Sequence, residues 1–217
     1  MLNEKIIADT TAFVRSTLAG DASGHDWWHI FRVWRTAKRI GQVEGANLLV
    51  VELSALLHDI ADWKSHGGDF SVGPRKAQEW LARFDLDPES IAHICFNIEH
   101  VSFKGATVKY PEMSLEGQVV QDADRLDAMG AIGIARTFAY GGTKGRAIYD
   151  PEIKPLEHTS VESYVHNESP SINHFYEKLL VLKNMMNTDC GRQLAEDRHR
   201  FMEDYLEHFY DEWEGRR

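Results

Sequence analysis

Apolar residues recur along this chain at intervals of three and four, the period of an amphipathic helix, and no segment alternates with the period of a strand. The pattern predicts a helix over residues 2–19, with Ile6, Ile7, Phe13, Val14 and Leu18 on one stripe, and another over 26–44. Gly45 breaks the chain before a run from Asn47 to Ile60 that is nearly all apolar, as a helix buried on every side should be. A short helix over Pro74–Phe84 comes next. Asp87, Pro88 and Glu89 read as the cap and first turn of its successor, which reaches about His100. Residues 114–128 form another helix, Ala131–Tyr140 a short one after Gly130, and 172–186 and 189–214 close the chain as amphipathic helices. Only residues 141–170 lose all period, and a loop that long in a compact domain tends to be functional or disordered. The expectation is one all-α domain over the 217 residues, with this loop as an insertion near the site.

The buried run carries His58 and Asp59 side by side. On a helix they project about 100° apart, so they share a target only if a cation sits in the angle between them. Without one, an imidazole and a carboxylate in an apolar helix would be costly. Two distant segments offer the missing donors. His25 and His29, four residues apart, share a helix face and compete for one role, with Asp26 beside them as a cap or an orienting group. Asp122, Asp124 and Asp127 lie in the third segment; Asp122 points about 200° away from Asp124, whereas Asp127 shares its face. Two neutral nitrogens and two anionic oxygens suit a divalent ion such as Mn, Fe, Mg, Co or Zn.

Bulk properties narrow the substrate. A net charge of -10 argues against a nucleic-acid binder, because no basic stripe offsets phosphate repulsion. Positive charge for an anionic small molecule must then be local. Cys95 and Cys190 form no paired motif and read as reduced thiols. The N-terminal stretch lacks the basic region and apolar block of a signal peptide, and no stretch approaches the ~20 apolar residues of a membrane span, so a cytoplasmic location without membrane contact is expected.

The segments HDWWHIFRV (25–33), LLHDIADWK (56–64), SFKG (102–105), VVQDADRLDAMGAIGIARTFAYGG (119–142) and EKLLVLKNMMNT (177–188) resemble a bacterial branch of the HD superfamily of metal-dependent phosphohydrolases, over roughly the whole chain. The resemblance implies a helical bundle with its metal-binding core at about 21–130, the loop at about 141–170 and C-terminal helices at 172–214. It also implies one divalent metal, manganese foremost and otherwise Fe, Co, Ni, Mg or Zn, held by His29, His58, Asp59 and Asp124. His93 and His100, seven apart, would serve a second metal only in a two-metal variant and are read as ordinary histidines.

Around this core, Asp62 and Asp127 are candidates for proton transfer or for orienting water, and Arg32, Lys64, Lys144 and Arg146 for phosphate contact. The 141–146 stretch lacks P-loop spacing. The resemblance favours nucleotide hydrolysis, foremost release of pyrophosphate from (deoxy)nucleoside triphosphates. Its rivals are a nucleoside monophosphatase, a cyclic or other phosphodiesterase, and a nucleotide-binding regulator without turnover. A homodimer through a spare apolar helix face is compatible with the pattern.

Overall fold

The computed structural model describes residues 2–20, 26–61, 69, 71–103, 111–156 and 169–217, and among them every regular element is helical. His25, Asp62, Lys64 and the 157–168 part of the loop lie outside the described residues. The chain divides into two compact units, residues 1–102 with 110–124, and residues 103–109 with 125–217.

The first unit is built from α1 (Leu2–Thr17), α2 (Trp27–Glu44), α3 (Leu48–Leu57), α4 (Val72–Leu81), α5 (Pro88–Val101) and most of α6 (Leu115–Asp127). Its boundaries follow the capping residues. Asp26 accepts from the backbone N–H of His29, Asn47 from Leu49, and Asp87 from Ser90, while Gly45 ends α2 in the left-handed conformation, φ 75°. Helix α3 is the centre: every residue from Val50 to Leu57 is buried, and α1, α2 and α5 pack against it. Ile6, Val14, Ile30, Leu53, Leu56, Leu81, Ile94 and Ile98 fill the space between. Trp80 of α4 stacks on Phe13 of α1 at 4.0 Å and donates its indole N–H to the buried Thr10 hydroxyl.

One charged residue interrupts that apolar centre. Glu52 is 4% exposed and accepts from the Trp34 indole at 2.8 Å and from the Lys38 ammonium at 3.1 Å, both on α2. A buried carboxylate with two donors is compensated, and here it also fastens α2 to α3.

The second unit contains α7 (Gly130–Thr143), a π-helical turn (Phe175–Leu179), a 3₁₀ turn (Val181–Met185) and α8 (Asp189–Trp213). The expected amphipathic α-helix over 172–186 is thus replaced by two short, irregular turns. Phe175, Leu179 and Leu182 are buried at the i, i+4, i+7 spacing of a helix face, and the departure from a regular helix accompanies the burial of Glu177, which such a helix would place opposite them. The described parts of the loop are tied down. Ser171 and Ile172 donate backbone N–H groups to the carbonyls of Ala147 and Ile148, and Asn173 Nδ2 donates to the carbonyl of Ile153. Glu177 Oε1 accepts from the Leu156 N–H at 3.1 Å and from the Ser169 hydroxyl at 2.8 Å. No described helix is long and apolar enough to cross a membrane.

Candidate metal centre

Four side chains of the first unit converge. Helix α2 supplies His29, third residue after its cap, so the Asp26 carboxylate fixes the backbone that carries this ring at 2.9 Å. His58 and Asp59 were expected inside a continuous helix to Ile60. Instead α3 ends at Leu57, and the pair occupies the closing turn, which tightens to a bond from the Ile60 N–H to the Leu57 carbonyl. Helix α6 brings Asp124.

His29 Nε2 lies 3.2 Å from His58 Nε2, 3.4 Å from Asp59 Oδ2 and 3.5 Å from Asp124 Oδ1. His58 Nε2 lies 3.6 Å and 3.8 Å from the same two oxygens. An ion bound at about 2.1 Å has neighbouring donors about 3.0 Å apart in an octahedron and about 3.4 Å apart in a tetrahedron. The observed separations are close to the edges of such a polyhedron.

Tautomer supports the same conclusion. His58 Nδ1 is 2.8 Å from the Ala55 carbonyl, which can only accept, so Nδ1 carries a proton and, in the neutral ring, Nε2 is the lone-pair nitrogen that faces the other donors. At most one proton can sit between the two Nε2 atoms, whereas two carboxylates within 4 Å bring two negative charges. A divalent cation matches both the charge and the lone pairs, so the residues fit the group. The imidazoles are almost wholly enclosed, each 1% exposed, and the Asp124 side chain is the most open at 22%. The cluster is therefore walled on the histidine side and accessible beside Asp124.

The other candidates divide. Arg32 is half-buried on α2, three residues beyond His29 and so on a neighbouring face. Asp122 is fully buried. His93 contacts the Ser114 hydroxyl at 2.6 Å and faces Glu116 at 3.8 Å, and His100 Nδ1 donates to its own helix at the Phe96 carbonyl, so both have roles inside the first unit. Burial is the largest single influence on the Glu116 carboxyl and pushes it upward, but the Asn47 N–H that it accepts, its own N–H, His93 and Ser114 together outweigh this and hold it below its usual range. In the second unit Asp127 is buried and ion-paired with Arg136 at 2.8 Å. Lys144 and Arg146 both lie over the Tyr140 ring, 5.6 Å and 5.5 Å from its centre. Sequence reasoning missed Glu52 and Glu177. Glu52 was detectable as the lone charge between Leu48 and Leu57; Glu177 had no local signal.

An all-helical unit organised around an adjacent His-Asp pair, a second histidine from the preceding helix and a distant aspartate defines the class. The HD domain family model matches residues 27–129. The Bacillus subtilis protein YpgQ is 41% identical over 192 residues, covering 88% of this chain and 85% of that protein. Its structure in complex with ADP superposes with a TM-score of 0.77, covering 98% of this chain and 97% of that one. A Lactobacillus plantarum protein gives a TM-score of 0.87 at 40% identity, over 99% of this chain and all of that one. An HD-superfamily hydrolase of Bacillus thuringiensis gives 0.77 at 45% identity, over 98% of both chains. The chain belongs to the HD superfamily of hydrolases.

Proposed function

We propose that this protein is a metal-dependent phosphohydrolase of nucleotides, with nucleoside triphosphates, including deoxynucleotides, as substrates and pyrophosphate as a product. The convergence of the Asp59 and Asp124 carboxylates on the imidazoles of His29 and His58, with every separation from a histidine Nε2 at 3.2–3.8 Å, carries the reading. The nucleotide class is supported by the ADP complex of YpgQ. When bound, a divalent cation, manganese foremost, supplies Lewis acidity toward a phosphoryl oxygen and toward water.

The chain's own residues account for the rest. The Asp26 cap anchors the backbone that carries His29, and the His58 Nδ1–H bond to Ala55 holds the His58 ring in one orientation, so little reorganisation of that ring is needed on loading. A phosphate approaches beside Asp124, the open edge of the cluster. In this reading Arg32 and Lys64 offset charge on the phosphoryl group undergoing attack, and Lys144 and Arg146 contact the polyphosphate tail. Asp62 takes the proton of the attacking water, with Asp127 as the alternative. The protein works in the cytoplasm as one HD domain, with neither a nucleic-acid nor a membrane partner, and a homodimer is compatible with this reading.

The test is a panel of ribo- and deoxynucleoside tri- and monophosphates and cyclic nucleotides, each with Mn, Co, Ni, Mg or Zn, with products identified. Pyrophosphate and a monophosphate from triphosphates are expected. Orthophosphate from monophosphates, or ring opening, would move the protein to another HD activity. Nucleotide binding without any product would make it a regulator.

A further inference from the structure

Helix α6 carries the fourth donor, and a glycine decides how closely that helix approaches α5. Gly117 is the third residue of the helix, its N–H donated to the Ser114 hydroxyl at 3.2 Å, and alanine would be the better helix former unless space demands glycine. Space does demand it. A Cβ on Gly117 would meet Asn97 Oδ1 at 2.6 Å and Met113 Cε at 2.8 Å. The methionine end can swing aside. Asn97 is fully buried, and its Nδ2 donates to the Ser54 hydroxyl of α3 at 3.2 Å, so its amide can turn only by breaking a buried hydrogen bond. Among the described residues Asn97 Oδ1 has no hydrogen-bond partner, and it lies against the place the missing Cβ would take.

The positions of the three residues are informative. Gly117 and Asp124 are seven residues apart, about 700° of helix, and so share a face to within about 20°. Ser54 precedes His58 by four residues. The Asn97 amide of α5 thus bridges the α3 segment leading to His58 and the α6 face leading to Asp124. One turn further along α6, Gln121 Nε2 donates to the His100 carbonyl of α5 at 3.1 Å.

We infer that Gly117 is a positioning residue: its missing side chain lets α6 settle on Asn97, and this seating sets the distance from Asp124 to the two histidines. The inference rests on the metal reading above but is tested by binding alone. Mn titrated by calorimetry into Gly117→Ala should bind about 10-fold more weakly, the lower end of what outer-shell partners contribute. In an Asp124→Ala background the weak Mn binding that the other three donors retain, read at high Mn concentration, should not fall further on the same substitution, because the donor it misplaces is gone. Adding Asn97→Ala to Gly117→Ala should restore much of the affinity. Unchanged Mn affinity in Gly117→Ala, or an equal loss with and without Asp124, would overturn the inference. Should Gly117→Ala not fold, Gln121→Ala takes its place, with a loss of about 3-fold expected that again vanishes without Asp124 and with the same two contrary outcomes. Wild-type Mn affinity in Asp124→Ala itself would instead remove Asp124 from the donor set, a failure of the metal reading and not of the packing argument.

Discussion

The second unit and the metal centre hold acidic side chains in opposite ways. In the second unit each has a protein donor: Asp127 has the Arg136 guanidinium, and Glu177 has the Leu156 N–H and the Ser169 hydroxyl. In the first unit Glu52 follows the same rule with Trp34 and Lys38. At the metal centre, by contrast, Asp59 and Asp124 converge with two imidazole nitrogens, one of them held as a lone pair by the bond from His58 to Ala55. Donor-paired acids hold helices together, whereas acids gathered around lone pairs call for a cation.

The largest effect separates these two kinds. Asp59→Ala and His58→Ala should abolish metal binding and lower turnover to background while helical circular dichroism persists. Glu177→Ala should leave metal affinity intact and lower unfolding stability by about 2 kcal/mol in urea titration, because a buried hydroxyl and a backbone N–H lose their acceptor. If Glu177→Ala lost metal, or Asp59→Ala lost stability alone, the contrast would fail.

Next in size is a cap. Thr188 is buried and accepts the Gly191 N–H at 3.0 Å at the start of α8, the longest helix. Thr188→Ala should cost about 1–2 kcal/mol of stability without changing metal affinity.

Much of this organisation is legible in the sequence because it rests on local rules. Asp26, Asn47 and Asp87 cap helices where the pattern puts them, and the run around Glu52 and Leu53 is as buried as its apolarity implies. His58 and Asp59 stand out because a buried helix has no other use for such a pair. What escaped depends on distant partners. Nothing near residue 177 in sequence signals that its carboxylate would bind residues 156 and 169, and nothing in the 172–186 period announces a π turn. Likewise the end of α3 at Leu57 reflects the geometry of the site more than helix propensity, since no Gly or Pro follows at once.

A smaller effect concerns pH. The Glu116 carboxyl is held below its usual range, so the stability it contributes is present above that range and is lost as pH falls through its lowered folded value. Glu116→Gln should flatten the acid limb of the stability curve by less than about 1 kcal/mol, discounted for partial exposure, while leaving neutral-pH metal affinity alone. The smallest effect is in the loop. Neutralising Lys144 and Arg146 together should raise KM for a triphosphate by a few-fold and more than for a neutral-leaving-group ester. Equal effects on both substrates would confine these side chains to their packing on Tyr140.

The most direct test of the metal centre is a Mn titration of metal-stripped protein, read by the loss of the free-ion paramagnetic resonance signal. Wild type should bind one ion per chain tightly, and His29→Ala, His58→Ala, Asp59→Ala and Asp124→Ala should each remove or severely weaken that site with the fold retained. Tight one-to-one binding that survived any two of these substitutions would contradict the account.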